Sequence, residues 1–200
     1  MTRMGESTIR WVGLGALAGI LCPAGAHAHL VDARFGDFYA GLIHPLTALE
    51  HVFPIVAVGL LAGQQGAKNA RLVLGVFAAA LLVGVVLGKG ADGTQLLIYV
   101  NGASFVVVGG LVAIARRLPA WVLTAVAGLF GLSHGYANGA AMRPEMAVLN
   151  FDAGVVSAGL VVVSLGAGIV LSLERPWSKV AVRVVGSWIA AIGMMTLALM

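Results

Sequence analysis

The chain has 200 residues, 60% of them hydrophobic and only 10% charged, with a mean hydropathy of +1.00. A soluble domain carries roughly 25% charged residues, so this composition excludes one and describes an all-α integral membrane protein. The net charge of +4 is spread as lysines and arginines between apolar runs, not gathered on one face, which excludes nucleic acid and leaves the lipid bilayer as the partner surface.

The N-terminal stretch reads as a processing signal. "MTRMGESTIR" supplies Arg3 and Arg10, "WVGLGALAGILC" a short apolar core, and "PAGAHA" small residues at A-x-A spacing, Ala24/Ala26 and Ala26/Ala28. Residues 1–28 are expected to be a cleavable signal peptide, removed after Ala26 or Ala28, and residues 29–200 the mature membrane domain. The alternative is an uncleaved first helix, although the run is short for the ~20 residues of a span. Cys22 is the one cysteine and leaves with the signal, so no disulfide or thiolate chemistry is expected afterwards.

Six apolar stretches of spanning length follow, near residues 42–63, 69–88, 95–115, 119–139, 152–173 and 180–199, which predicts six transmembrane helices. With the mature N-terminus exported, the inner loops hold Lys68, Arg71, Arg116, Arg117, Arg175, Lys179 and Arg183, and the outer side holds Arg34, Lys89 and Arg143. Seven basic residues inside against three outside satisfy the positive-inside rule and put both mature termini outside. Two three-helix halves of opposite orientation would suit a secondary transporter, though residues 42–115 and 119–199 show no matching sequence.

The first span contains "IHPLTALEHVF", residues 43–53. On one straight helix His44 and His51, two turns apart, point the same way, with Glu50 on an adjoining face. An acidic side chain at the centre of a membrane helix costs roughly 2.5–3.5 kcal/mol, so Glu50 is expected to face protein or a wet cavity. Pro54 cannot donate to the Glu50 carbonyl, which predicts a kink there and a free backbone oxygen. In the third span Asn101 is a candidate pathway residue, and Tyr99 and Ser104 either line the same path or bridge helices. In the fourth, "GLFGLSHGYANG" places Gly131, Gly135 and Gly139 on a smooth ridge, with His134 and Asn138 on the adjoining stripe. Met142 and Met146 in the loop beyond read as membrane-surface contacts.

Imidazole, carboxylate and carbonyl donors at this spacing suit a divalent first-row metal. His44, Glu50, His51 and His134 are therefore the expected metal site; hydrogen bonding of each residue to a neighbouring helix is the alternative. Cleavage after Ala26 would begin the mature chain His27-Ala28-His29, a square-planar chelate for Cu(II) or Ni(II), and cleavage after Ala28 would make His29 terminal. Asp32 and Asp37 read either as a funnel toward His44 or as a solvated tail. No P-loop or dinucleotide fingerprint occurs, and neither an enzyme nor a permanently bound cofactor is expected.

"HPLTALEHVFPIVAVGLLA" and "LSHGYANG" resemble the two signature motifs of the HupE/UreJ family of hydrogenase and urease accessory nickel permeases. The first motif has the form His, five residues, Asp, His; the second has the form HGxAHGxE. Glu50 stands where the family has Asp, Asn138 where it has the second His, and Ala141 where it has Glu. The resemblance covers nearly the whole chain. It implies a permease of the bacterial inner membrane carrying Ni2+, or Co2+, inward, and metallochaperones or nickel-enzyme maturation proteins as partners. A haem-binding membrane subunit and a non-transporting metalloenzyme assembly protein are the alternative readings.

Overall fold

A computed structural model describes residues 36–200, and the predicted signal peptide, Cys22, His29 and Asp32 lie outside them. The described residues form seven α-helices: α1 (Asp37–Thr47), α2 (Leu49–Gln64), α3 (Ala67–Gly88), α4 (Gln95–Ile114), α5 (Ala120–Ala140), α6 (Val148–Leu171) and α7 (Pro176–Ala198). The last five are 20 to 24 residues long and apolar enough to cross a membrane. At ~1.5 Å rise per residue they match the ~30 Å hydrocarbon layer. The pair α1 and α2 makes a sixth span if its two parts are counted together.

That pair departs from the expected single helix over 42–63. The chain bends by 80° at Ala48, whose backbone is extended (φ −90°, ψ 112°), whereas α2 runs on through Pro54. The local cause is upstream of the proline. The Thr47 hydroxyl donates to the carbonyls of Ile43 and His44 at 3.1 and 3.2 Å, which offers the backbone an alternative to another helical turn. Pro45 and Pro54 each remove an i→i−4 bond on either side of the break.

Short connections carry their own stop signals. Thr94 caps α4 by accepting from the Leu97 N–H, Ala115 ends it in the left-handed region, and Pro176 occupies the first turn of α7. Gln65, buried in the α2–α3 turn, donates to the Arg116 carbonyl at 3.0 Å and accepts from the Leu118 N–H at 2.9 Å. One side chain thus ties two loops at the same end of the bundle.

Packing follows the glycines. Gly131, Gly135 and Gly139 of α5 lie against Phe77, Leu81 and Val85 of α3, so near that a Cβ on Gly135 or Gly139 would meet a carbonyl oxygen of α3. The expected smooth ridge is thus a backbone-to-backbone interface, the closest approach small residues permit. Positions rise together along both helices, so α3 and α5 are parallel. The same holds for α2 and α6, where Gly59 meets Val163 and Gly63 meets Ala167. Between α4 and α7, Gly109 meets Gly186 and Ala190 while Gly193 meets Phe105, an antiparallel register. Exchanging α2–α4 with α5–α7 maps the α3/α5 pair onto α6/α2 and α4/α7 onto itself, the pairing pattern that two inverted halves produce. Ile55, Val58, Phe77, Leu81, Val108 and Leu123 fill the core. Leu87, Leu96, Trp121, Leu149 and Trp188 are exposed on the outer surface, as lipid-facing positions are.

Candidate metal centre

Where α1 folds back at Ala48, the His44 and His51 rings come to 5.8 Å between centroids. On one continuous helix seven residues would separate them by ~10 Å along the axis. The bend, not a shared helical face, brings the two imidazoles together. Phe151 of α6 lies on the other side of His44, with centroids 6.3 Å apart. His44, Glu50, His51 and Asn101 line one cavity of about 400 Å3, whose remaining wall is largely apolar and includes Phe105 and Met200. Glu50 is exposed and also lines this cavity, a polar-facing place of the kind an acidic side chain on a membrane helix needs.

His134 stands behind this wall. It is fully buried and does not line the cavity; its Nδ1 lies 3.0 Å from His51 Nδ1 and its Nε2 lies 2.9 Å from Ser104 Oγ. Ser104 in turn donates to the Asn101 carbonyl at 2.5 Å. A serine hydroxyl has one proton. With that proton on the Asn101 carbonyl, Ser104 Oγ accepts from His134 Nε2–H, His134 Nδ1 accepts from His51 Nδ1–H, and His51 Nε2 keeps its lone pair. The chain Ser104, His134, His51 thereby assigns the tautomer of the one histidine in it that reaches the cavity. A metal-binding imidazole is normally fixed by this kind of hydrogen bond at its other nitrogen.

Asn138 is also fully buried; its Nδ2 donates to the His134 carbonyl at 2.7 Å and its Oδ1 has no hydrogen-bond partner. Asn101 Oδ1 is likewise buried and without a partner, in a residue that lines the cavity. Among the described residues no three His, Cys, Asp or Glu side chains converge closely enough to hold a metal ion between them. The four expected ligands are thus divided: His44, Glu50 and His51 on the cavity wall, His134 in the layer behind with both ring nitrogens engaged.

Ser104 is the positioning residue that the sequence left undecided between pathway and bridge, and its i, i+3 spacing from Asn101 was the available signal. Asp37 belongs to the first turn of α1 and not to a loose tail, and its Oδ2 accepts from the Ala147 N–H at 2.8 Å, tying that turn to the start of α6. Met142 and Met146 are buried in the bundle, not spread on a membrane surface. Asp152 is buried on α6 with Oδ1 unpartnered and does not line the cavity.

The profile of the family described as HupE / UreJ protein matches residues 16–196 of the chain. Protein HupE of Rhizobium leguminosarum bv. viciae is similar to it, 29% identical over 177 residues that cover 88% of this chain and 92% of the relative. No solved structure matches the chain.

Proposed function

The chain belongs to the HupE / UreJ protein family, and from that premise we propose that it is a secondary permease for uptake of a divalent transition metal, nickel or cobalt. The observation that carries the reading is the cavity lined by His51, His44 and Glu50, with His51 Nδ1 engaged from behind by His134 and, through it, Ser104. Imidazole nitrogens with a carboxylate and an amide oxygen from Asn101 line one cavity, and drawn together they would supply a mixed N/O donor set of the kind late first-row divalent ions take. His134 acts as a positioning residue in this state, and Asn138 holds its helix turn through the His134 carbonyl.

Metal reaches the cavity from the outer side of the bacterial inner membrane, the side on which both mature termini lie, and the terminal His29 captures it beforehand. The bend at Ala48 is the element that can move, since shifting α1 against α2 changes the separation of His44 from His51 and so the number of donors the ion can keep. Energy comes from the membrane potential. At −100 mV a divalent cation gains roughly 4.6 kcal/mol on crossing inward, twice the ~2.3 kcal/mol of a single charge. Metallochaperones or nickel-enzyme maturation proteins receive the metal inside. The haem reading is the weaker one, because His51 and His134 bond each other at 3.0 Å and leave no room for a porphyrin between them.

The test is accumulation of nickel, cobalt, zinc and copper in proteoliposomes carrying an imposed inside-negative potential. His51→Ala should reduce nickel or cobalt uptake by more than the roughly 10–100-fold that loss of an outer-layer partner costs. Uptake by the wild-type protein no greater than that of empty vesicles would remove the permease reading and leave the assembly role.

A further inference from the structure

At the opposite end of the bundle a second cavity, of about 360 Å3, opens among the ends of α2, α4, α6 and α7. It falls at the lower end of the roughly 300–1,000 Å3 range of small-molecule sites. Gln64, Arg117, Lys179 and Arg183 supply its polar side, and Val170, Leu171 and Val182 are among its apolar residues. Leu171 is also exposed on the outer surface of α6, so the cavity is continuous with the face that meets lipid.

Among the described residues neither Arg117, Lys179 nor Arg183 pairs with an acidic side chain, and the one acidic residue at this end, Glu174, does not line the cavity. One of the cations is held in place. Arg183 Nε donates to the Ala113 carbonyl at 2.9 Å, which pins the guanidinium and leaves its terminal nitrogens to point elsewhere. Arg117 lies over Gly66, where a Cβ would come within 3.4 Å of Nη1. A pinned guanidinium loses less freedom on binding than a free one, and its fork matches phosphate oxygens. Trp177, in the first turn of α7 at the same end, is exposed, as the aromatic side chains that gather at membrane–water interfaces are.

We propose that this cavity binds the headgroup of an anionic phospholipid, its phosphate held by Arg117, Lys179 and Arg183 and its acyl chains against Val170, Leu171 and Val182. Free phosphate shares the polar half of this chemistry but has no use for the apolar half. Basic pockets between transmembrane helices are a recognised form of lipid headgroup site. The lipid would also neutralise a ring of positive charge at the end from which a cation must leave.

The experiment is native mass spectrometry of the full chain released from mixed phosphatidylglycerol and phosphatidylcholine nanodiscs. The comparison sets Arg117→Gln/Lys179→Gln against Lys68→Gln/Arg175→Gln, which removes the same charge from the same end but outside the cavity. Wild type should retain phosphatidylglycerol in preference to phosphatidylcholine. The cavity double should lose that retention roughly 30-fold, the effect of two cations near an anionic lipid, and the outer double should not change it. Equal loss in both doubles would reduce the site to a diffuse field and overturn the proposal, as would equal retention of the two lipids. Displacement of the lipid by millimolar inorganic phosphate would assign a free-phosphate site instead. If the cavity double fails to fold, the wild-type lipid preference with and without phosphate, together with Lys179→Gln alone, decides the same question.

Discussion

The two ends of the bundle hold cavities of nearly equal size, about 400 and 360 Å3, with opposite chemistry. One is lined by two imidazoles and a carboxylate with no lysine or arginine, the other by three cations with no carboxylate. Under the proposed permease function, a divalent ion would be attracted to the first and repelled by the second, so the static field alone would draw metal in at one mouth and oppose its departure at the other. For the proposed passage of metal, the asymmetry would demand either a change of conformation or neutralisation of the basic end. Basic residues at helix ends, usually a topology signal, here partly line one cavity: Arg117, Lys179 and Arg183.

The contrast can be broken most completely by exchanging the charge at the metal-facing mouth. Glu50→Lys should abolish metal accumulation to the level of empty vesicles, because it places a fixed cation on the wall where the ion must lose water. Smaller, and informative about the layer behind the wall, are His134→Ala and Ser104→Ala. Each should weaken metal binding roughly 10–100-fold, measured by titration of purified protein, without opening a new metal selectivity. An unchanged affinity in His134→Ala would show that His51 needs no fixed tautomer.

Gly139→Val sharpens the comparison from the packing side. Its Cβ would collide with the Val85 carbonyl, and overpacking of this kind costs about 1–3 kcal/mol. Thermal unfolding in detergent should detect that cost, and both cavities should suffer together because α3 and α5 support the whole bundle. The smallest effect belongs to Glu145→Gln, which removes the 2.9 Å contact with Arg143 at the metal-facing end. Both side chains are more than a third exposed, so stability should change by less than ~1 kcal/mol. Metal uptake should stay the same, since Glu145 does not line the cavity.

The helices were largely legible in the sequence because apolar length is a local property: spans expected at 69–88 and 95–115 are found at Ala67–Gly88 and Gln95–Ile114. The site was legible in its membership more than in its arrangement. His44 and His51 were expected as neighbours on a straight helix, yet they meet because the chain bends at Ala48. A proline announces a lost hydrogen bond, and Pro54 drew attention to itself. The determining contacts at Thr47 are side-chain bonds to the preceding turn, which composition does not reveal. His134 looked like a ligand because a histidine pattern carries no information on which layer of a bundle its helix face joins. Ser104, which sets the proton positions, belongs to a different helix. Asp152 and Gln65 were missed for the same reason, since only tertiary packing decides whether a polar residue near a helix end is wet or enclosed.

The parallel pairing of α3 with α5 has a consequence for assembly. As the chain emerges from the ribosome, the notch at Gly84 and Gly88 in α3 must wait for a partner that ends about fifty residues later. At roughly 5–20 residues per second that is a delay of ~3–10 s. For those seconds α3 is a spanning helix whose most closely fitting face touches only lipid, with α4 inserted between it and its mate in time though not in space. A nascent chain stopped before α5 would therefore carry the glycine notch of α3 without the helix that fills it.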